Sequence, residues 1–225
     1  MSEINKETLI NDLVNNKVYI WTTRSKYFPK ITDSFLMWRL NNQIVIDPSK
    51  IVDSLISAKK KIEEIKKEKK AILVIWDKEI FRDEIEEVCN KTELLFLNNK
   101  IPSWIFTNFD TFKKRIYSMN KLIKFIKSSV FWKLTKKEQL MKKRELSKLE
   151  TIYKWVNGLN KLPDLVVIVD AEYNLWTIYE LEKANIDYIA ISNTNLSRWL
   201  KTDNLVVANT DSYESVTYLL NYLLK

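Results

Sequence analysis

The chain has 225 residues, 46% of them hydrophobic, which is enough for a domain with a sizeable core and argues against disorder over most of its length. Thirty-seven Lys and Arg against 29 Asp and Glu leave a formal charge of +8, a balance that favours an anionic partner. With no His and a single Gly, Gly158, neither a Ser-His-Asp nor a HExxH site can be written, nor a glycine-rich phosphate loop, so most enzyme readings fail together. One cysteine, Cys89, rules out an internal disulfide and a cysteine-based zinc cluster. No apolar run reaches the roughly 18 residues that suggest a membrane span. The expectation is therefore a non-enzyme without cofactor, metal, membrane partner or small-molecule substrate.

Residues 3 to 14 have a short helical pattern, and Lys17 to Trp21 alternate as a strand would. Phe35 to Trp38 and Ile44 to Ile46 are short strand-like runs around a polar turn at Asn41 and Asn42. Asp47-Pro48 starts a helix, since Asp caps free amides and Pro at the first helical position loses no hydrogen bond. That helix is predicted to run to about Lys69. Ala71 to Trp76, AILVIW, is an unbroken apolar run of the kind buried on both faces of a parallel sheet. A helix near Lys78 to Asn90 and a strand at Leu94 to Leu97 follow. Farther on come strand Leu165 to Val169, helix Glu172 to Ala184, strands Tyr188 to Ile191 and Leu205 to Val207, and a closing helix from Ser212 to Leu224. The alternation predicts an α/β fold, a parallel sheet with helices on both faces.

The interruption between the two groups of strands has different chemistry. Phe109, Phe112, Ile116, Met119, Ile123 and Ile126 recur at spacings of three and four, one apolar seam along a helix in the manner of a coiled coil. Thr135 and Glu138 form a capping-box pattern that opens a second helix, whose Leu146, Leu149, Tyr153 and Val156 continue the seam. Gly158 is expected to end this helix in a left-handed conformation. The economical reading is a helical hairpin inserted at 105–160 between two parts of the α/β domain, 1–104 and 161–225.

Residues 112–150 hold 13 Lys and Arg against three Glu, whereas the other 186 residues hold 24 basic and 26 acidic ones. The whole positive excess thus lies on the hairpin, where polyphosphate is the natural neutralising partner and released counterions supply affinity. The candidate phosphate contacts there are Lys113, Lys114, Arg115, Lys121, Lys124, Lys127, Lys136, Lys137, Lys142, Lys143, Arg144 and Lys148. Phe131 and Trp132 fall at the tip, either to stack on a base or to cap the hairpin's own core.

LTKKEQLMKKRELSKLE at Leu134 to Glu150 resembles the LTKKEA-plus-basic-helix pattern of the S-two family of small-subunit ribosomal proteins. Matches in the same order are KYFPKI at Lys26 to Ile31, against the family's YWNPKM, and IFTNFDTFKKRI at Ile105 to Ile116, against MLTNFKTIKKSI. LPDLVVIVDAE at Leu162 to Glu172 and IAISNTN at Ile189 to Asn195 continue the series. The resemblance spans roughly residues 10 to 225. It implies a flavodoxin-like, Rossmann-like sheet with a protruding coiled-coil hairpin, no catalytic residues, and small-subunit ribosomal RNA and neighbouring ribosomal proteins as partners. Arg24, Lys26 and Lys30, in the segment similar to the family's GVHFGHQTRYWNPKM, join the expected RNA contacts. Both histidines and both glycines of that family segment are replaced here.

Two alternatives stay open. One is a nucleotide-binding α/β enzyme using Asp77, Asp164, Asp170 and Glu172 near strand ends, which are equally natural caps and turn residues. The other is a free RNA-binding or membrane-surface protein acting through the basic hairpin. Few Gly, Ala and Pro with many Lys, Asn and Ile suggest an A+T-rich gene, yet there are eight Trp. Reading UGA as Trp reconciles the two. With an N-terminus unlike a secretory or Arg-rich import sequence, this predicts a protein encoded and used in a mitochondrion, with a plastid or a bacterial cytoplasm as the alternative.

Overall fold

The computed structural model describes residues 6–21, 35–40, 43–80, 82–98, 101, 104–159, 161–197, 200 and 204–225. Helix α1 (Lys6–Asn15) leads into strands β1 (Ile20–Trp21), β2 (Leu36–Leu40) and β3 (Gln43–Ile46), which form a small antiparallel sheet in the order β1-β3-β2. Arg39 faces Ile44 across the β2–β3 pair, as the two strand-like runs predict. The turn expected at Asn41 and Asn42 lies outside the described residues. The strand expected from Lys17 is shorter, because Lys17 takes a left-handed φ of 55° that closes α1 instead.

Helix α2 (Pro48–Lys67) begins as its sequence requires, with the Asp47 carboxylate accepting from the Ser49 amide at 2.9 Å and Pro48 in the first turn. Ile51, Val52, Leu55, Ala58 and Ile62 repeat every three or four residues and are all buried. Next come β4 (Ile72–Ile75), α3 (Arg82–Lys91) and β5 (Leu95–Leu97). After the hairpin follow β6 (Leu165–Val169), α6 (Leu175–Lys183), β7 (Asp187–Ser192), β8 (Leu205–Val207) and α7 (Tyr213–Leu224). α3 starts later than predicted. The chain after β4 makes a turn that buries Trp76, whose indole N–H donates to the Ile80 carbonyl at 2.7 Å. α6 likewise starts at Leu175, because residues 171–174 form a turn around Asp170.

The larger sheet is fully parallel in the order β5-β4-β6-β7-β8. Every residue of β4 and β6 is buried, which is why these strands read as continuous apolar runs rather than alternating ones. The crossover through α3 steps from β4 to β5 and that through α6 steps the opposite way, from β6 to β7. Right-handed connections then put the two helices on opposite faces. α2 and α3 pack on α7, forming one helical layer. The strand order reverses between β4 and β6, so the crevice beyond their C-terminal ends is where such a sheet would receive a ligand.

Candidate nucleic-acid interface

The hairpin consists of α4 (Phe109–Ile126), a 3-10 turn at Phe131–Lys133, α5 (Lys136–Tyr153) and a second 3-10 turn at Lys154–Val156. Its lead-in is tied to the body by Glu180 of α6, a buried carboxylate that accepts from the backbone amides of Trp104 at 2.5 Å and Phe106 at 3.3 Å. Trp104 sits at φ 65°, and the anchored carboxylate holds this turn in place. Phe112, near the start of α4, meets Tyr153 at the end of α5 edge-on, with ring centroids 5.3 Å apart, so the helices run antiparallel. Phe112, Ile116, Met119 and Leu122 are buried; Phe109, Ile123 and Ile126 are half-buried. The predicted seam is there, with Leu122 added.

At the tip the two aromatics differ in burial. Phe131 is fully buried and packs edge-on against Phe125 at 6.1 Å, closing the hairpin core, while Trp132 is 68% exposed. The capping box forms as predicted: the Thr135 amide donates to the Glu138 carboxylate at 2.9 Å and the Glu138 amide to the Thr135 hydroxyl at 3.4 Å. Hydrogen bonds from the Thr135 side chain and backbone hold the Glu138 carboxyl below the usual range. The expectation for Gly158 is wrong. No glycine has a positive φ, because α5 leaves through the 3-10 turn with Asn157 still right-handed; a Cβ on Gly158 would make only an ordinary contact with Leu95 at 3.6 Å.

Of the predicted contacts, Lys113, Lys114, Arg115, Lys121, Lys124, Lys127, Lys136, Lys137, Lys143, Arg144 and Lys148 are exposed, and Lys142 is half-buried. Between 112 and 150, all of them described residues, Lys142 is the one cation held in an ion pair, with Glu145 at 2.9 Å. The Lys113 and Lys143 ammonium groups lie 5.7 and 5.9 Å from the ring centres of Phe109 and Phe131. The run Lys113-Lys114-Arg115 is split by helical geometry. Lys113 and Lys114 border one cleft with Tyr117 and Asn120, whereas Arg115 borders another with Trp104 and Tyr153. Lys133 at the tip and Lys154 after α5 are also exposed; sequence reasoning did not single them out, although Lys133 belongs to the same basic segment. Arg24, Lys26 and Lys30 lie outside the described residues.

Of the carboxylates of the enzyme alternative, Asp164, Asp170 and Glu172 are engaged in bonds within the chain, and Asp77 borders a cavity with Trp104 and Tyr173. Asp164 is at the N-terminal end of β6, the wrong end for a ligand, and accepts from the Ala71 amide at 2.9 Å and Lys161 at 3.0 Å. Although burial opposes it, these bonds and the charges of Lys161 and Lys70 keep its carboxyl below the usual range. Glu172 accepts from the Ser197 amide at 2.7 Å. Asp170, at φ 63° in the crevice beyond β6, is ion-paired with Lys78, which also reaches Asp211 at 3.3 Å. Burial pulls the Lys78 ammonium down, but the hydrogen bonds and charges of Asp170 and Asp211 outweigh it and leave its pKa raised. Lys78 thus bridges two carboxylates at this end of the sheet.

A profile of the family described as Ribosomal protein S2 matches residues 13–225. The chain belongs to the ribosomal protein S2 family. That family is one of structural proteins rather than enzymes. The chain is 30% identical over 208 residues to the small ribosomal subunit protein uS2 of Dictyoglomus thermophilum, covering 92% of this chain and 84% of that one. It is 29% identical over 215 residues to the uS2 of Carsonella ruddii, covering 95% and 96%, and 27% identical over 218 residues to the uS2c of Cyanidium caldarium, covering 96% and 88%. Against the longer uS2 of Ureaplasma parvum, 26% identical, the chain spans 63% of the length. The bounds of the S2 match enclose the hairpin and both flanking groups of strands.

Proposed function

We propose that the chain is a structural constituent of the small ribosomal subunit, binding small-subunit ribosomal RNA through the hairpin and neighbouring ribosomal proteins through the body. The observation that carries this is the segregation of charge: 13 basic against three acidic residues at 112–150, almost all exposed and only one paired there. Unpaired surface cations on a projecting element gain from displacing counterions of a polyanion, whereas cations neutralised within the fold would not. The proposed contacts are Lys113, Lys114, Arg115, Lys121, Lys124, Lys127, Lys136, Lys137, Lys142, Lys143, Arg144 and Lys148, with Arg24, Lys26 and Lys30 added by the family resemblance. Functionally the chain divides into 1–104, 105–160 and 161–225, the middle part acting as a short coiled coil that carries charge outward. Sedimentation tests the reading: the chain should co-migrate with small subunits through a salt-washed gradient, and a free or membrane-bound profile would overturn it.

The proposed compartment is the mitochondrial matrix, with the gene in the organelle. Eight Trp in a chain otherwise poor in Gly, Ala and Pro support a code in which UGA specifies Trp. UGG at every Trp codon of the gene would remove this support.

A further inference from the structure

At the base of the hairpin a cleft of about 350 Å³ opens between α4 and the segment that follows α5. Its floor is apolar, made by the buried side chains of Ile116 and Leu159. Lys113, Tyr117 and Asn120 recur at four- and three-residue spacing and so share one face of α4, with Lys114 beside them. Asn157 faces them from beyond α5. The two amides are joined reciprocally, the Asn120 N–H donating to the Asn157 carbonyl at 2.6 Å and the Asn157 N–H to the Asn120 carbonyl at 3.1 Å. This pair fixes the wall of the cleft, and each amide still keeps a second N–H and a second lone pair. Tyr117 is 71% exposed, a large ring standing in solvent one helical turn from Lys113 and Lys114 rather than packed in the seam.

We propose that this cleft binds a single unpaired nucleotide of RNA, its base stacked on Tyr117, its phosphate held by Lys113 and Lys114, and its base edge met by Asn120 and Asn157. The inference rests on the reading of the hairpin as the RNA contact and adds to it a defined site. Each component selects for one part of the ligand. Two ammonium groups fit a phosphate, but a phosphorylated peptide brings no planar base for the tyrosine ring. Spare amide groups suit the polar edge of a base and give nothing to an aliphatic ligand. A recess with an apolar floor admits a base splayed out of a helix, not one stacked within it, which is how single-stranded RNA is read. The volume is in the range of small-ligand sites, large enough for one nucleotide.

The full chain is titrated with fluorescent oligoadenylate, oligouridylate and an RNA duplex, following polarisation. Tyr117→Ala should lower the ratio of single-strand to duplex affinity roughly tenfold, as loss of one stacked base does. Tyr117→Phe should keep the ratio, because the ring remains. The exposure of Tyr117 makes both variants foldable, and unchanged circular dichroism checks it. An unchanged ratio in Tyr117→Ala overturns the nucleotide site. The underlying reading fails separately: if Lys136, Lys137 and Lys143, all distal to the cleft, are changed to Gln with no loss of affinity for any RNA, the hairpin is not the RNA contact.

Discussion

Asp170 combines burial, a left-handed backbone and a charge, three costs at one position that only Lys78 and its surroundings offset. The Tyr173 amide donates to its carboxylate at 3.2 Å and the Thr210 hydroxyl at 3.4 Å, so the group is held from several elements at once. Breaking such a pair from one side leaves an uncompensated charge, and Asp170→Ala should destabilise by about 3 kcal/mol in urea unfolding. Cys89 gives a second expectation at this scale. Burial pushes its thiol up from 9.0 to about 12. Between those values the unfolded chain loses the thiol proton and the folded chain keeps it, so stability falls as pH rises through this window. The native thiol should resist iodoacetamide at pH 8 and react once urea unfolds the chain. Unfolding midpoints measured across alkaline pH, with Cys89→Ala as reference, check the slope.

Four helices end on a residue with positive φ followed by a 6→1 backbone bond, and none of the four is glycine. Lys17, Lys69, Glu93 and Asn185 stand at φ 52° to 55°, and the next amides, those of Val18, Lys70, Leu94 and Ile186, donate to Leu13, Ile65, Cys89 and Leu181. These are Schellman ends built without the residue that normally makes them cheap. Three of the four place an apolar residue just after the turn, where it packs on the body: Val18 and Ile186 are buried and Leu94 half-buried. Lys69→Gly and Glu93→Gly, both at exposed sites, should each stabilise by roughly 0.5–1 kcal/mol, read as a higher denaturant midpoint at unchanged slope. Here lies the limit of sequence reading. The Asp47-Pro48 start and the Thr135/Glu138 box were legible because their side chains make the bonds that define them. The ends were not, since at Lys17, Glu93 and Asn185 the left-handed turn goes with packing of the residue that follows. Gly158 misled for the same reason: it has the right composition for a left-handed end but the chain there is still turning right-handed.

For the whole molecule, the parallel sheet with its flanking helices followed from apolar runs, which average over many residues. The cleft beside Tyr117 did not, because it depends on Asn120 and Asn157 meeting across 37 positions of sequence and on which side of α4 each lysine leaves. Nor could sequence separate Phe131 from Trp132, adjacent residues whose burial is opposite. Neutralising hairpin lysines should weaken incorporation into the subunit and reduce the salt dependence of binding by about one unit of log–log slope for each phosphate that the chain no longer neutralises. Unchanged assembly together with an unchanged slope would remove the hairpin as the site of RNA binding.

The separation of charge also makes the molecule a permanent dipole. Residues 112–150 carry a net +10 and the remaining 186 residues a net −2, with the positive end displaced onto a projecting pair of helices. In the field of a polyanion such a body experiences torque as well as attraction. A polyanion would draw such a molecule in hairpin first, so that its orientation would be largely settled before the two surfaces touched.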